Sequence, residues 1–476
     1  MFRKGAILIN EIIKVDSLPD KWQRIRLSFY VGKYLRSCFK MKQIITYLIF
    51  TVVSIWPVMG QNDDGNYSLD QLIVEALENN YDIRISEADL EIAELNNTLG
   101  NAGMFPTLSW ESSLSNNFND RYDNDNQTGS LQNGVRLNWM LFNGFSAHIR
   151  KDRLETMEEL SGGNLALLVE NTIQAVVMAY YRALFAEEQL TLLQEVMQLS
   201  EDRLQYMEDR VDLGAATSYE ALQARTAYLT DKTAYLEQEV NVLSTLRELK
   251  YLIGKDEGEA LELSGKLSFE ARDYNLDELL SKIESSNQSI QNQYMNLALL
   301  EQQRVLQQRS RFPSLNANAG AGHNMMPESL NSASDAPGFS DGYFSYFVNF
   351  SLSFTLFDGD RINRNVQIAR MEEAIGQTNL EEMKHRLKNQ LFNLFDQYRV
   401  RRELVEVGRE NRETARVNMQ LSEEKFRAGA INSFNYRDVQ LSYLQTSINY
   451  YRSVLNLIDT HTSLVRITGG IVEEYE

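Results

Sequence analysis

Two hydrophobic periods alternate along this chain of 476 residues. From residue 81 to 104 apolar positions recur at helical spacing and stop before Pro106. Leu108, Trp110, Leu114 and Phe118 then fall on one face of a period-two segment, and after the polar stretch Asn119 to Ser130 a second alternation runs through Leu131, Val135, Leu137, Trp139 and Leu141. A period of two puts alternate side chains on opposite faces, which predicts a hairpin with strands over about 107–119 and 131–141. Phe145 to Asp212 contains no proline, and neither does Thr217 to Ile253, so a long helix over 145–212 and a return helix over 217–253 follow. Near the turn, Leu190, Leu193, Met197, Ser200, Leu204, Met207 and Val211 have three-four spacing, and Leu222, Leu229, Leu236 and Leu243 answer it seven apart. That pattern predicts an antiparallel coiled-coil hairpin with the leucines in its seam. Gly162-Gly163 and Gly408 predict bends in the long helices.

The plan is written twice. Tyr67-Ser68-Leu69-Asp70-Gln71-Leu72 recurs as Tyr274-Asn275-Leu276-Asp277-Glu278-Leu279, Asn80 and Ile83 as Asn287 and Ile290, and Phe105-Pro106-Thr107-Leu108 as Phe312-Pro313-Ser314-Leu315, all at an offset of 207. Leu141-Phe142-Asn143-Gly144 then matches Leu356-Phe357-Asp358-Gly359, and Gly214-Ala215 matches Gly429-Ala430, at an offset of 215. The second copy predicts strands over about 314–322 and 343–356, a long helix over 361–427 and a return helix over 432–468, whose Leu441, Leu444, Ile448, Tyr451, Leu455 and Ile458 keep the three-four spacing. In its second strand Phe344, Tyr346, Val348, Phe350, Leu352, Phe354 and Leu356 face one way; the opposite face is polar apart from Phe347. The repeats span 61–253 and 273–476, joined by a connection over 254–272.

Strands of about 10 residues with one apolar and one polar face suit a membrane barrel with lipid outside and water inside; a soluble sandwich with one wet face has the same alternation. Four strands cannot close a barrel, and open edges are not tolerated in lipid, so a membrane reading requires several copies. Two copies give eight strands and a lumen filled by side chains, and three give twelve and a passage. A helix of the length read here reaches roughly 100 Å, and the incoming and return helices placed end to end roughly 90 Å, so these two run alongside the long one.

Charge narrows the partners. The formal net charge is −19, and with ten Lys/Arg against three Asp/Glu in residues 1–60 the rest of the chain stands at −26. That acidity argues against a nucleic-acid groove. The single cysteine, Cys38, precludes an intrachain disulfide or a cysteine-based metal site. From Met41, a lysine, an apolar run from Ile44 to Ile55 and small Gly60 before Gln61 have the build of a secretory signal peptide over 41–60, the run being short for a membrane anchor. Residues 1–40 have no place in such a signal and read as an extension upstream of a start at Met41. His148, His323, His385 and His461 are scattered and no phosphate-binding glycine loop is present, so no enzyme, cofactor or metal site is expected. Asp120, Asp123 and Asp125 form either a calcium ligand set or a solvated loop.

The paired Phe-Pro-x-Leu and Leu-Phe-x-Gly motifs, the duplicated helix-hairpin-helix plan, and the turns Val211-Asp212-Leu213-Gly214 and Phe426-Arg427-Ala428-Gly429 resemble the TolC family of outer-membrane channels over about residues 67–468. The resemblance implies a mainly α chain with a membrane β-barrel part, assembled as a homotrimer with a 12-stranded barrel, a periplasmic α-helical tunnel and a mixed belt to which 254–272 contributes. It implies a non-enzymatic exit duct serving a periplasmic membrane-fusion (adaptor) protein and an inner-membrane pump or ABC exporter. It also assigns adaptor docking to the tips, here Leu213, Gly214 and Ala215 with Ala428, Gly429 and Ala430. Counting beyond those glycines gives Glu220, Asn435 and Asp438 as the periplasmic aperture, with Asn435 where the family pattern has an acidic residue. A soluble coiled-coil scaffold accounts for the heptads and leaves the hairpins unexplained; a stand-alone porin predicts more strands than four.

Overall fold

The computed structural model describes residues 66–119, 126–325 and 342–475, which belong to one compact unit. The signal peptide, the start at Met41, the mature end near Gln61 and the loop of Asp120, Asp123 and Asp125 lie outside the described residues.

Each repeat begins with a short helix capped by its own motif. In the first, β1 (Asn66–Tyr67) leads into α1 (Leu69–Asn79), where Ser68 and Gln71 form a capping box. Asn80 ends α1 and starts α2 (Tyr81–Asn96), accepting from the amides of Asp82 and Ile83. Its side-chain amide donates to Leu252 O at 2.8 Å, which ties the joint to the far end of the return helix. In the second repeat Asn287, between α5 (Leu276–Ser286) and α6 (Gln288–Arg309), does the same to Ile467 O, also at 2.8 Å. One asparagine therefore satisfies orphan groups of three helix ends in each copy, which is why it recurs. α2 ends at Asn96, short of the expected 104; Asn97 caps it, and a run of turns to Gly103 (φ 80°) precedes the first strand.

β2 (Thr107–Asn119) and β3 (Asn126–Asn143) pair antiparallel, as do β5 (Ser314–Met325) and β6 (Tyr343–Ser353), and β3 pairs with β5. β4 (Glu262–Leu263) lies parallel to β1. β3 starts five residues before the expected 131, because the polar run from Asn126 continues the ladder to Asn119. β6 ends at Ser353, leaving Phe354 and Leu356 beyond it.

At each strand-to-helix corner two consecutive residues are left-handed, Gly144 and Phe145 at φ 64° and 65° and Gly359 and Asp360 at 68° and 66°. Glycine adopts this region without a Cβ penalty, which accounts for the last letter of both Leu-Phe-x-Gly motifs. The chain then enters α3 (Ser146–Asp212) and α7 (Arg361–Arg427), which return as α4 (Ser218–Leu252) and α8 (Ser433–Ile467), with α9 (Ile471–Tyr475) closing the chain. α3 is continuous through Gly162-Gly163, and a Cβ at Gly163 would collide with Asn292 of α6. That glycine serves close helix approach.

The helices form a row. α3 packs against α4 and α8, and α8 against α7; nearer the sheet α2, α3, α6 and α7 repeat the order. The core runs along this row through Val176, Val177, Leu193, Met207, Leu391, Tyr398, Leu457 and Leu464. The face that α4 turns to it is Ala224, Asp231, Gln238, Val242 and Leu249. The leucine heptad expected in that seam lies elsewhere: Leu222, Leu229, Leu236 and Leu243 are 62, 52, 50 and 53% exposed. A seven-residue period marks a helix face without naming its neighbour, and here the smaller, more polar heptad two residues away fits against α3.

Candidate channel wall and helical tips

The four strands form one sheet in the order β2-β3-β5-β6, so among the described residues β2 and β6 have free edges. The register brings Trp110, Val135, Ala321 and Tyr346 into one row and Leu108, Leu137, Ala319 and Val348 into the next, all on one face. Trp110, Tyr346, Val348 and Leu108 are exposed there. None of the described residues covers this band, unlike the core face of a sandwich. The opposite face carries Ser109, Glu111, Arg136, Asn138, Asn316, Asn318, Ser345, Asn349 and Ser351. Arg136 pairs with Glu111 at 3.4 Å, and Phe347 lies over Gly320, where a Cβ would sit 2.8 Å from its ring. Among the described residues no helix is long and apolar enough to cross a membrane.

At the far end of the row, the two tips have one construction. Gly214 N–H donates to Val211 O at 2.9 Å and Ala215 N–H to Arg210 O at 2.7 Å; Gly429 and Ala430 repeat this to Phe426 O and Lys425 O at 2.9 and 2.8 Å. These bonds satisfy the last carbonyls of α3 and α7 and require a left-handed residue, φ 70° at Gly214 and 71° at Gly429. Both glycines face open space, and Leu213 is 82% exposed. Ala215, Ala428 and Ala430 are exposed beside them.

Glu220 is occupied locally. Thr217 N–H donates to its carboxylate at 2.9 Å and Thr217 Oγ1 at 3.0 Å, while Glu220 N–H donates back at 3.4 Å. The Thr217 amide holds the Glu220 carboxyl below its ordinary range, with the hydroxyl adding to the effect. In the second tip Asn432 accepts from Asn435 N–H at 2.8 Å, so Asn435 holds the equivalent position with no charge. Asp438, one turn along α8, is exposed and has no partner among the described residues. The Thr-x-x-Glu pattern at 217–220 is a capping signature legible in the sequence, and it explains the helix start independently of any aperture.

A polar cluster absent from the sequence reading sits above the tips. Arg437 of α8 reaches Asp231 of α4 with two bonds of 2.6 Å, and Ser200 of α3 also donates to Asp231. Arg203, 4% exposed, lies beside them with its Nε unpartnered, and burial followed by repulsion from Arg437 lowers its pKa to about 10. Nearby, Tyr206 meets Phe426 edge-on and Phe426 stacks on Tyr436 at 4.6 Å. These side chains, drawn from both repeats, join the first hairpin to the second.

The model of the family described as outer membrane efflux protein matches residues 72–255 and 279–470, one stretch in each repeat. The chain belongs to the outer membrane efflux protein family. Among its relatives, the cation efflux system protein CusC of Escherichia coli O157:H7 is 24% identical over 414 residues, covering 83% of this chain and 85% of CusC. The CmeC outer membrane channel of Campylobacter jejuni shares the fold with a TM-score of 0.71 at 14% identity, over 85% of this chain and 86% of CmeC. The MtrE outer membrane channel of Neisseria gonorrhoeae, solved in its open state, gives 0.68 at 16% identity over 85% and 89%. As a member of this channel family the efflux protein is a passive conduit and no enzyme.

Proposed function

We propose that three copies of this efflux protein form an exit duct through the outer membrane and periplasm. The observation that carries this reading is the uncovered, two-faced sheet with two free edges, fused to helices of 67 residues. Lipid does not tolerate unpaired strand edges, so β6 of one copy pairs with β2 of the next, and three copies close twelve strands around a water-filled lumen. The apolar rows face lipid and the serine and asparagine rows face water. The helices, roughly 100 Å long, extend the wall as a tunnel across the periplasm.

In this reading the chain is exported by the signal at 41–60. The tips around Leu213-Gly214-Ala215 and Ala428-Gly429-Ala430 dock a periplasmic adaptor, which couples the duct to an inner-membrane pump or ABC exporter. Glu220, Asn435 and Asp438 form its periplasmic aperture. The lumen is passive, so the pump selects the cargo. Fractionation with native mass measurement tests the assembly: the protein is expected in the outer-membrane fraction, released only by detergent, as a three-chain particle. Ready solubility without detergent, or a one-chain particle, supports a coiled-coil scaffold instead.

A further inference from the structure

Among the described residues the row of helices ends, like the sheet, in two uncovered edges. On α4 the edge carries Leu222, Leu229, Leu236 and Leu243; on α7 it carries Val400, Val407, Thr414 and Leu421, also seven apart and exposed. The same edges stay apolar nearer the sheet, through Ile85 and Ile92 of α2 and Ile368 and Ile375 of α7. α7 runs toward the tips and α4 away from them, and neighbours in the row α4–α3–α8–α7 alternate in direction. Setting α4 of a second copy beside α7 continues the alternation.

The height of each edge fixes which residues meet. Between hairpins, Gln174 bonds Ser463 and Arg466 bonds Asn171, both at 3.1 Å, and Tyr443 bonds Glu195 at 3.3 Å. The α3 partners precede Gly214 by 40, 43 and 19 residues, and the α8 partners follow Gly429 by 34, 37 and 14, so the first tip extends five to six residues past the second. Inside the second hairpin, Arg401 meets Asn456, Asp459 and Thr460, 28 residues before Gly429 against 27, 30 and 31 after it, which adds about one more. Inside the first, Ser200 meets Asp231 and Gln238 meets Ala186, 14 before against 17 after and 24 after against 28 before, which nearly cancel. The α4 edge is therefore offset from the α7 edge by about one heptad, roughly 10 Å. Rotation about a threefold axis leaves height unchanged, so the offset holds between copies.

We infer that the two stripes form an antiparallel helical seam between copies, with Leu229 against Leu421, Leu236 against Thr414, and Leu243 against Val407. This rests on the trimer reading and adds the partner face and its register. Leu222 falls below the seam, beside the tip of the neighbouring copy. Thr414 is then the single polar member facing a leucine row, a position that weakens the seam at mid-length.

Cysteine pairs test the register in the full chain with Cys38→Ser. A disulfide needs Cα atoms about 4.4–6.8 Å apart, so a one-heptad slip lies out of reach. Leu243→Cys with Val407→Cys is expected to give covalent dimers and trimers on a non-reducing gel after mild oxidation. Leu236→Cys with Val407→Cys, equally distant from the two tips, is expected to give none. As a check independent of disulfide geometry, Leu243→Cys alone in the trimer should label with a maleimide more slowly than Leu213→Cys at the open tip. Three-chain particles in which the 236/407 pair cross-links, or in which Leu243→Cys labels as fast as Leu213→Cys, overturn the seam while leaving the duct intact. One-chain particles overturn both.

Discussion

Asp231→Ala is the sharpest perturbation of the helical bundle. Asp231 is 5% exposed and is the carboxylate shared by Arg437, at 2.6 Å through each of two nitrogens, and by the Ser200 hydroxyl. Its removal leaves buried Arg203 and half-buried Arg437 side by side without the carboxylate between them, and Arg203 already lacks a partner at Nε. Breaking a buried pair on one side costs about 3–5 kcal/mol. The cluster bridges α4, α3 and α8, so that cost falls on local opening between the hairpins above the tips. Hydrogen exchange of the detergent-solubilised protein reads it directly: amides across 226–236 and 434–444 should exchange roughly 100-fold faster or more, while those around His461, more than 20 residues along α8 from Arg437, are unaffected. Asp231→Ala with Arg437→Ala should recover part of the loss, since one stranded charge is gone. Exchange rates within about threefold of the parent in both segments would mean that the cluster is solvated in the assembly and the argument from burial is wrong.

Three further outcomes follow from the same geometry. Gly214→Trp and Gly429→Trp meet no steric obstacle and cost about 1–2 kcal/mol for the left-handed backbone, so trimers should survive and export should fail; export through both variants removes the docking role. Glu220→Gln with Asp438→Asn keeps the Thr217 cap while deleting two carboxylate rings, so cation selectivity and divalent block of single channels should fall; unchanged ion selectivity places the ring elsewhere. Burial raises Glu170 to about 7 against the partial relief offered by Arg466. A carboxyl held up in the fold binds its proton more tightly there than in the unfolded chain, so stability should decline as pH rises from about 4.5 to 7 and level off above, by up to about 3 kcal/mol. Glu170→Gln should flatten that decline in apparent melting temperature, and an unaltered pH profile would refute the assignment.

Much of this plan was legible in the sequence because the chain writes it twice. Asn80 and Asn287, the Leu-Phe-x-Gly corners and the tip glycines each answer a backbone requirement, and such requirements leave a fixed letter at a fixed offset. What was not legible depends on neighbours. The period of Leu222, Leu229, Leu236 and Leu243 is the same whether they meet α3 or another copy, and only the placement of Asp231 and Gln238 against α3 decides it. Polar Asn126 to Ser130 joins the ladder because strand pairing is a backbone property that side-chain hydrophobicity does not report. The Asp231, Arg437, Ser200 and Arg203 cluster is spread over 238 positions and has no local pattern at all. Glu220 was visible as an acidic residue beyond a tip glycine and equally as the fourth member of a capping box, and the structure engages it in the cap.

Single-channel recording of the purified mature protein in a planar lipid bilayer asks whether this chain builds a continuous water-filled passage. Discrete, uniform conductance steps that favour cations should appear at concentrations where three-chain particles are present. A protein that binds the bilayer without conducting, or leaves it untouched, would contradict such a passage.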